Sequence, residues 1–451
     1  MTTTSAPTAT SPIPAIATTL DELLERWPLS GLQWRVIALC ALVVLLDGLD
    51  TQVIGYLGPA LSAEWNIPRA QLGPVFSASL VGLMAGLLLV GTLADYYGRR
   101  FCLLFSVALF AGFTLLTAFA QGVTDLMLWR FLAGIGLGGA MPNALALTGE
   151  YCPRRLRATL TILMFCGFSL GSIVGGVLAA ALIDDYGWRS VFLAGAIMPL
   201  LLLPLLWWCL PESLQFLLVR KQNAAGVHAQ LARINPRHDT TITLAQPAAE
   251  TRLPVTALFD TGRSQGTLLL WIVFFCNLMV FYFLQNWLPT LFTDAGLTQR
   301  DAVLMSTLIS WGGIVAGLLS GPLMDRFNPC YVLAGLYLAG TGFVAAMGQA
   351  TPALLAVATF CAGFCVSGAQ KSVNALAVLF YPVEMRSTGV GWALGIGRFG
   401  SILGPVVGGY LLSWGWSYAS LMQLAALPML AAAIAIIVMG RRYFRSRRAT
   451  N

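Results

Sequence analysis

A small set of ionisable side chains lies inside, or at the edge of, long apolar stretches: Asp47, Asp50, Arg130, Glu150, Lys371 and Arg398. A charged group at the centre of a bilayer costs roughly 2.5–3.5 kcal/mol on insertion scales, so each of these invites a functional reading. Asp47 and Asp50 stand at i and i+3 and share one helix face. Two carboxyls buried together resist double ionisation, which suits a site that loads and releases a proton. The competing reading is a structural ion pair, for example with Arg130, or a hydrogen bond at a helix bend beside Gly48. Both histidines, His228 and His238, lie outside the apolar stretches. Proton coupling therefore falls to carboxylates. Lys371 and Arg398 are cations with no carboxylate in the spans of their own half. A planar guanidinium can take a carboxylate in bidentate fashion, and an ammonium offers a second point charge. That chemistry fits an anionic substrate. The alternatives are pairing with the aspartates across the molecule, or snorkelling to a loop.

The elements that hold these residues are membrane spans. The chain has 451 residues, 57% hydrophobic and only 10% charged, with a mean hydropathy of +0.77. Soluble domains carry about 25% charged residues, so most of this surface faces lipid. Runs of about 20 apolar residues predict spans at Trp34–Leu57, Leu72–Leu93, Phe101–Ala120, Leu126–Thr148, Thr159–Ile183 and Val191–Leu210. A second set follows at Thr267–Leu291, Val303–Met324, Tyr331–Met347, Pro352–Phe380, Thr388–Leu412 and Tyr418–Met439. The first twenty residues read as a disordered tail and Asp21–Trp34 as a short amphipathic lead-in. The expected organisation is a tail over 1–33, a half over 34–210, a central loop over 211–266 without a folded-domain pattern, a second half over 267–439 and a basic tail over 440–451. An even number of spans puts both termini on one side. Lys and Arg crowd that side, while the opposite loops hold Arg69, Arg189 and Arg300. By the positive-inside rule the termini and central loop are cytoplasmic. The net charge of +7 thus reads as topology rather than nucleic-acid binding.

The halves repeat. Gly91-Thr-Leu-Ala-Asp95 recurs 230 residues later as Gly321-Pro-Leu-Met-Asp325, after the second span of each half. Tyr151-Cys-Pro-Arg-Arg-Leu-Arg157 recurs loosely as Tyr381-Pro-Val-Glu384-Met-Arg386, between the fourth and fifth spans. Matching topological positions argue for duplicated six-helix units around a pseudo-two-fold axis, with the substrate between them. The run Gly91-x-Leu-x-Asp95-x-x-Gly98-Arg99-Arg100 resembles the loop signature of the major facilitator superfamily. Arg130-x-x-x-Gly134-x-Gly136-x-Gly138 resembles its fourth-helix signature, and Pro211-Glu212-Ser213 the motif after its sixth helix. Asp47-Gly48-Leu49-Asp50-Thr51 is similar to the first-helix signature of the aromatic acid:proton symporter family, with its hydroxybenzoate and benzoate carriers.

The resemblance implies an all-α membrane protein of twelve transmembrane helices in two pseudo-symmetric six-helix halves. It implies proton-coupled import of an aromatic carboxylate such as 4-hydroxybenzoate or protocatechuate across a bacterial inner membrane, with protons as coupling ion and no cofactor. It links Arg130 to substrate or proton handling. Ring-sized walls could come from Trp271, Phe275, Tyr282, Trp311 and Trp392, and hydroxyl partners from Gln285, Asn286 and Asn374. Gating falls to Asp95, Arg99, Arg100, Glu150, Arg157, Asp325, Glu384 and Arg386, whose charge pairs can bias one access state over the other. Other carriers of the superfamily compete: sugar, polyol or other organic-anion uptake, or proton-antiport efflux. Many drug antiporters carry Gly-Pro on the fifth helix. Here that helix reads Gly167-x-x-x-Gly171-Ser172-x-x-Gly175-Gly176, and the proline form appears on the eleventh, Gly400-x-x-x-Gly404-Pro405-x-x-Gly408-Gly409. Both glycine runs are also what close helix packing requires. A transporter-like sensor would carry an added signalling domain. Nothing in the sequence suggests an enzyme, a metal site, a disulfide framework or a nucleic-acid partner, and a monomer is expected, with aromatic acid, protons and lipid as partners.

Overall fold

The computed structural model describes residues 18–443 except 222, 240–241, 243, 246–254, 260–261 and 383–384. The side chains of Asp95, Ala158, Asp325, Pro352, Ala353 and Ser387 are also outside the described set. Short α1 (Leu20–Arg26) leads into α2 (Gly31–Tyr56), α3 (Gly58–Trp65), α4 (Arg69–Tyr97), α5 (Arg99–Thr117), α6 (Val123–Tyr151) and α7 (Arg154–Cys209). Two short helices, α8 (Leu214–Val219) and α9 (Ala224–Ile234), and a 3-10 turn at Val255–Phe259 occupy the central segment. The second half comprises α10 (Ser264–Asp294), α11 (Gln299–Arg326), α12 (Pro329–Met347), α13 (Pro352–Phe380), α14 (Arg386–Ser413) and α15 (Tyr418–Tyr443).

Eleven of these helices are long and apolar enough to cross a membrane. The expected fifth and sixth spans are fused in α7, whose 56 residues would reach about 84 Å at 1.5 Å per residue, far beyond a bilayer core. Gly187 interrupts it with φ 72° and ψ 172°, a backbone conformation that favours glycine. Two crossings meet there, which brings the total to twelve.

The duplication is visible in the packing. The first and fifth spans of each half lie against one another, α2 on α7 and α10 on α14, and the second and fourth likewise, α4 on α6 and α11 on α13. The two glycine runs explain the first of these pairings. A Cβ on Gly171 would lie 1.8 Å from the Leu45 carbonyl oxygen, and one on Gly404 would lie 2.3 Å from that of Met279. Only glycine allows backbones to approach this closely.

The halves join mainly toward the end opposite the termini. There Arg69 of α4 pairs with Asp294 of α10 at 2.7 Å, and the Ser77 hydroxyl donates to the Ile402 carbonyl at 2.8 Å. The Phe76 and Trp287 rings meet edge to face. The terminal end carries an extra layer built from the amphipathic lead-in, which forms α1, and from a central segment in which no folded-domain pattern is expected. Thr18 bridges to Leu244, and Thr19 and Glu22 form a capping box on α1. Leu23 and Leu24 of α1 share one apolar cluster with Leu214, Leu218, Val227 and Leu231 of α8 and α9. Amphipathic periodicity in the two short helices provides the buried face.

Candidate functional site

The first-helix aspartates separate into two environments. Asp50 is 1% exposed and belongs to Arg130, which is 0% exposed. Arg130 Nη1 donates to both Asp50 carboxylate oxygens at 3.1 Å, and Nη2 donates to the Asp50 backbone carbonyl at 2.8 Å. The Thr114 hydroxyl of α5 donates to the same carboxylate at 2.7 Å, and the guanidinium lies over the Phe192 ring at 5.5 Å. This is a fully buried, hydrogen-bonded ion pair inside the N-terminal half. Arg130, expected at the substrate, has both terminal nitrogens committed to Asp50.

Asp47 is also buried, but its recorded partner is neutral: the Thr51 hydroxyl donates to it at 3.1 Å. The cation within Coulombic range is Arg398, from the opposite half. Arg398 Nη1 donates to the Tyr282 hydroxyl at 3.2 Å, and among the described residues no carboxylate forms an ion pair with it. One turn beyond Tyr282 on α10, Asn286 donates to the Tyr282 carbonyl at 2.8 Å and leaves its own side-chain oxygen unpartnered. The result is a cluster in which α2 brings a carboxyl while α10 and α14 bring a phenol and a guanidinium, with the Asn286 amide further toward the far end, beside Gly55. It can hold a carboxylate on Arg398 and a proton on Asp47.

Lys371 of α13 points to the seam between the halves. Its Nζ donates to the Gly313 carbonyl at 2.5 Å and lies 3.4 Å from Ser169 Oγ of α7. It therefore bridges α13, α11 and α7, with Asn374 about one turn further along α13. The proposed ring walls divide. Tyr282 is in the cluster. Trp392 stands six residues from Arg398, on a different side of α14, and stacks with Trp271 at 6.1 Å. Trp271 in turn meets Phe259 of the 3-10 turn. Trp311 lies in the exposed stripe of α11 with Leu304, Val315 and Leu318, which is a lipid face. Phe275 lines an apolar groove between α10, α14 and α15. These aromatics were read as walls because aromatic content alone does not say which side of a helix meets the cavity.

The gating candidates form two groups at the terminal end. Arg99 pairs with Glu150, whose carboxylate also accepts from the Ser213 hydroxyl at 2.6 Å. The Arg100 backbone N–H donates to Glu212 at 3.0 Å, and its guanidinium donates to the Trp207 carbonyl. The loop signature and the Pro211-Glu212-Ser213 motif thus interlock, and Glu212 caps the start of α5. Arg157 goes elsewhere: with Arg154 it binds Asp21 of α1, at 2.8 and 2.9 Å. Burial alone would raise the Asp21 carboxyl, but the bonds from Arg157 and Arg154 outweigh it and hold the group below its usual 3.8. Asp95 and Asp325 sit in the last turns of α4 and α11, with side chains outside the described set, and Glu384 lies outside the described residues. Arg386 opens α14, and its Nε has no hydrogen-bond partner among the described residues.

Sequence reasoning missed a chain of hydroxyls across the halves. The Tyr56 hydroxyl contacts Ser172 Oγ at 2.8 Å, Ser310 Oγ donates to Ser172 Oγ at 3.0 Å, and Gln285 Nε2 donates to Ser310 Oγ at 3.2 Å. Ser172 is the residue that replaces proline in the fifth-helix motif, which was the available signal.

A family model for the Major Facilitator Superfamily matches residues 40–346 and 270–451. The chain is 42% identical over 424 residues to the 4-hydroxybenzoate transporter PcaK of Acinetobacter baylyi, covering 92% of this chain and 93% of that protein. It is 43% identical over 431 residues to a gallate transporter of Pseudomonas putida, covering 95% and 96%. Among solved structures it resembles a D-xylose-proton symporter with a TM-score of 0.68 at 17% identity, covering 91% of this chain and 97% of that one.

Proposed function

This chain belongs to the major facilitator superfamily, in its aromatic acid transporter family, and from that premise we propose that it imports a hydroxylated aromatic carboxylate together with protons, by alternating access between its halves. The observation that carries the reading is the uncommitted Arg398. It is a cation inside the eleventh span, joined to the Tyr282 hydroxyl and within electrostatic reach of Asp47 of the opposite half. An ionised Asp47 and a substrate carboxylate compete for that one guanidinium. Protonating Asp47 removes the competitor, so proton and anion bind together and leave together. Asp50 keeps Arg130 neutralised and fixes the geometry of α2 against α5 and α6. The charge pattern supports an inner-membrane protein with both termini cytoplasmic. In that orientation the Arg69–Asp294 pair ties the halves together on the periplasmic side.

The test is uptake by proteoliposomes with an imposed pH gradient, using labelled 4-hydroxybenzoate, 3,4-dihydroxybenzoate, benzoate and glucose. Accumulation of the aromatic acids should follow the pH gradient and collapse with protonophore. Arg398→Ala should weaken equilibrium binding at least about 100-fold, as expected for a lost charge-assisted pair, with partial recovery in Arg398→Lys. Glucose uptake without aromatic-acid uptake would sink the substrate assignment. Accumulation indifferent to protonophore would sink the coupling, and unchanged affinity in Arg398→Ala would remove Arg398 from the site.

A further inference from the structure

We propose that Gln52, with Gln285 beside it, recognises a ring hydroxyl lying away from the substrate carboxylate, and so makes this carrier selective for para-hydroxylated aromatic acids. The inference rests on the aromatic-acid reading above and assigns a residue to its specificity.

Gln52 is 1% exposed, one turn before the end of α2 at Tyr56. Neither its amide nitrogen nor its amide oxygen has a hydrogen-bond partner among the described residues. Buried amides are almost always bonded, so both ends of one remaining open calls for a ligand. Gln285 is 2% exposed. It spends its nitrogen on Ser310 and leaves its oxygen open, as does Asn286. These groups meet at the seam between α2 and α10. A Cβ on Gly55 would lie 2.7 Å from the Gln285 carbonyl and 3.3 Å from the Asn286 side-chain oxygen. Gln52 precedes Gly55 by three residues and Tyr56 by four, so it lies one turn nearer the midplane on that side of α2.

The placement relative to Arg398 completes the argument. Helices α2 and α10 run in the same direction, which sets Gln52 about level with the Tyr282 backbone. Helical side chains lean toward the N-terminus on Gln52 and Tyr282 alike, so Gln52 stays near the level of Tyr282, while the Gln285 and Asn286 side-chain oxygens start about one turn further toward the far end. Along the helix axis the Gln285 amide is displaced from the Tyr282 backbone by about one turn, about 5.4 Å, away from the termini. In the proposed pose the carboxylate rests on Arg398 and the ring extends away from the termini along the seam between α2 and α10, where Gln52 and Gln285 hold their open amide atoms. A phenol hydroxyl both donates and accepts, and Gln52 offers both functions. A bare ring edge leaves the amides unpaired, and an ortho hydroxyl stays beside the carboxylate, out of reach. Sites built to bond a hydroxyl reject analogues that lack it far more strongly than apolar pockets do.

The experiment measures equilibrium binding of labelled 4-hydroxybenzoate to the full-length protein, with competition by benzoate and 2-hydroxybenzoate. Gln52→Met keeps length and removes both polar ends; Gln52→Asn keeps the amide on a shorter stem. In the unaltered protein 4-hydroxybenzoate should outcompete both analogues. In Gln52→Met that preference should fall at least about ten-fold through loss of 4-hydroxybenzoate affinity, while benzoate shifts less than about three-fold. Gln52→Asn should retain part of the preference. An unchanged preference in Gln52→Met overturns the assignment, and so does equal weakening of all ligands, which marks a structural role. If Gln52→Met does not yield a monodisperse protein, Gln52→Asn and Gln285→Met decide by the same ratio. An unaltered protein that binds none of the aromatic acids refutes the substrate class itself, a result distinct from a lost preference.

Discussion

At the scale of single residues, the two aspartates differ in what each leaves behind when neutralised. Asp50→Asn strands Arg130 without an anion in a fully buried position, and breaking such a pair by removing one partner costs about 3–5 kcal/mol. Asp47→Asn strands no directly bonded cation, because its recorded partner is the Thr51 hydroxyl. We therefore expect Asp50→Asn to lower thermal stability and yield, whereas Asp47→Asn should remain stable, bind substrate and lose only accumulation against a gradient. Thermal unfolding followed by size exclusion, together with counterflow and gradient-driven uptake, separates the two. Equal stability in both variants would refute the division. The residues themselves were legible, since charge within an apolar run is conspicuous. Their partners were not. A spacing of three places Asp47 and Asp50 on one face, yet the roughly 60° between them is enough to aim one at α6 and the other at α14.

At the scale of helices, the spans were legible to within a few residues because hydropathy marks them directly. The fused α7 was not, since a glycine in a short connection does not announce whether the helix stops or bends. The serine in the fifth-helix motif also acquires a role. Ser172 receives Tyr56 from its own half and Ser310 from the other, so it closes a polar latch between α2, α7 and α11. Ser172→Ala leaves the Tyr56 donation to the Ser172 backbone carbonyl at 3.1 Å but removes the bond from Ser310 across the halves, about 1 kcal/mol net, and should shift the carrier toward the state open at the far end. Labelling of a cysteine placed near Arg69 should then become several-fold faster without substrate. No change in labelling would mean that the latch does not bias the equilibrium. Gly171→Leu should not fold at all, given the 1.8 Å approach of its Cβ position to the Leu45 carbonyl.

At the scale of the whole molecule, α1 and the central helices form a layer tied to the transport bundle through Asp21, Arg154 and Arg157. Short amphipathic helices in a polar stretch carry too weak a pattern to be read as a layer. His228 Nδ1 and His238 Nε2 lie 2.8 Å apart within it, with the His238 ring edge-on to Trp27. Burial, then the neighbouring His228, lowers His238 below its usual 6.5, against a smaller opposing effect of Asp239. A base lowered in the folded state contributes stability that is present above about pH 6.5 and is lost as pH falls through the folded value. Hydrogen exchange in α1 and α9 should therefore be slow at pH 7.5 and faster at pH 5.5, and a His238→Phe variant should lose this dependence. The Asp21 bonds should not contribute over that range, since a lowered carboxyl releases its stability only as pH falls below about 4.

The split of the midplane charges between the halves also bears on the step that carries no cargo. With Asp47 ionised against Arg398, and Asp50 against Arg130, the empty centre holds two negative and two positive groups. Lys371, bonded to the Gly313 carbonyl of its own half, takes no part in these two pairs. An empty carrier whose centre is neutral moves no net charge when it reorients, so the transmembrane voltage neither drives nor hinders its return. Voltage should then act only on protons carried in excess of the substrate's own negative charge, at about 2.3 kcal/mol per 100 mV for each. In proteoliposomes, homoexchange and empty return should be insensitive to a potassium diffusion potential. In Asp47→Asn, where Arg398 is left unbalanced, the return should become voltage-dependent.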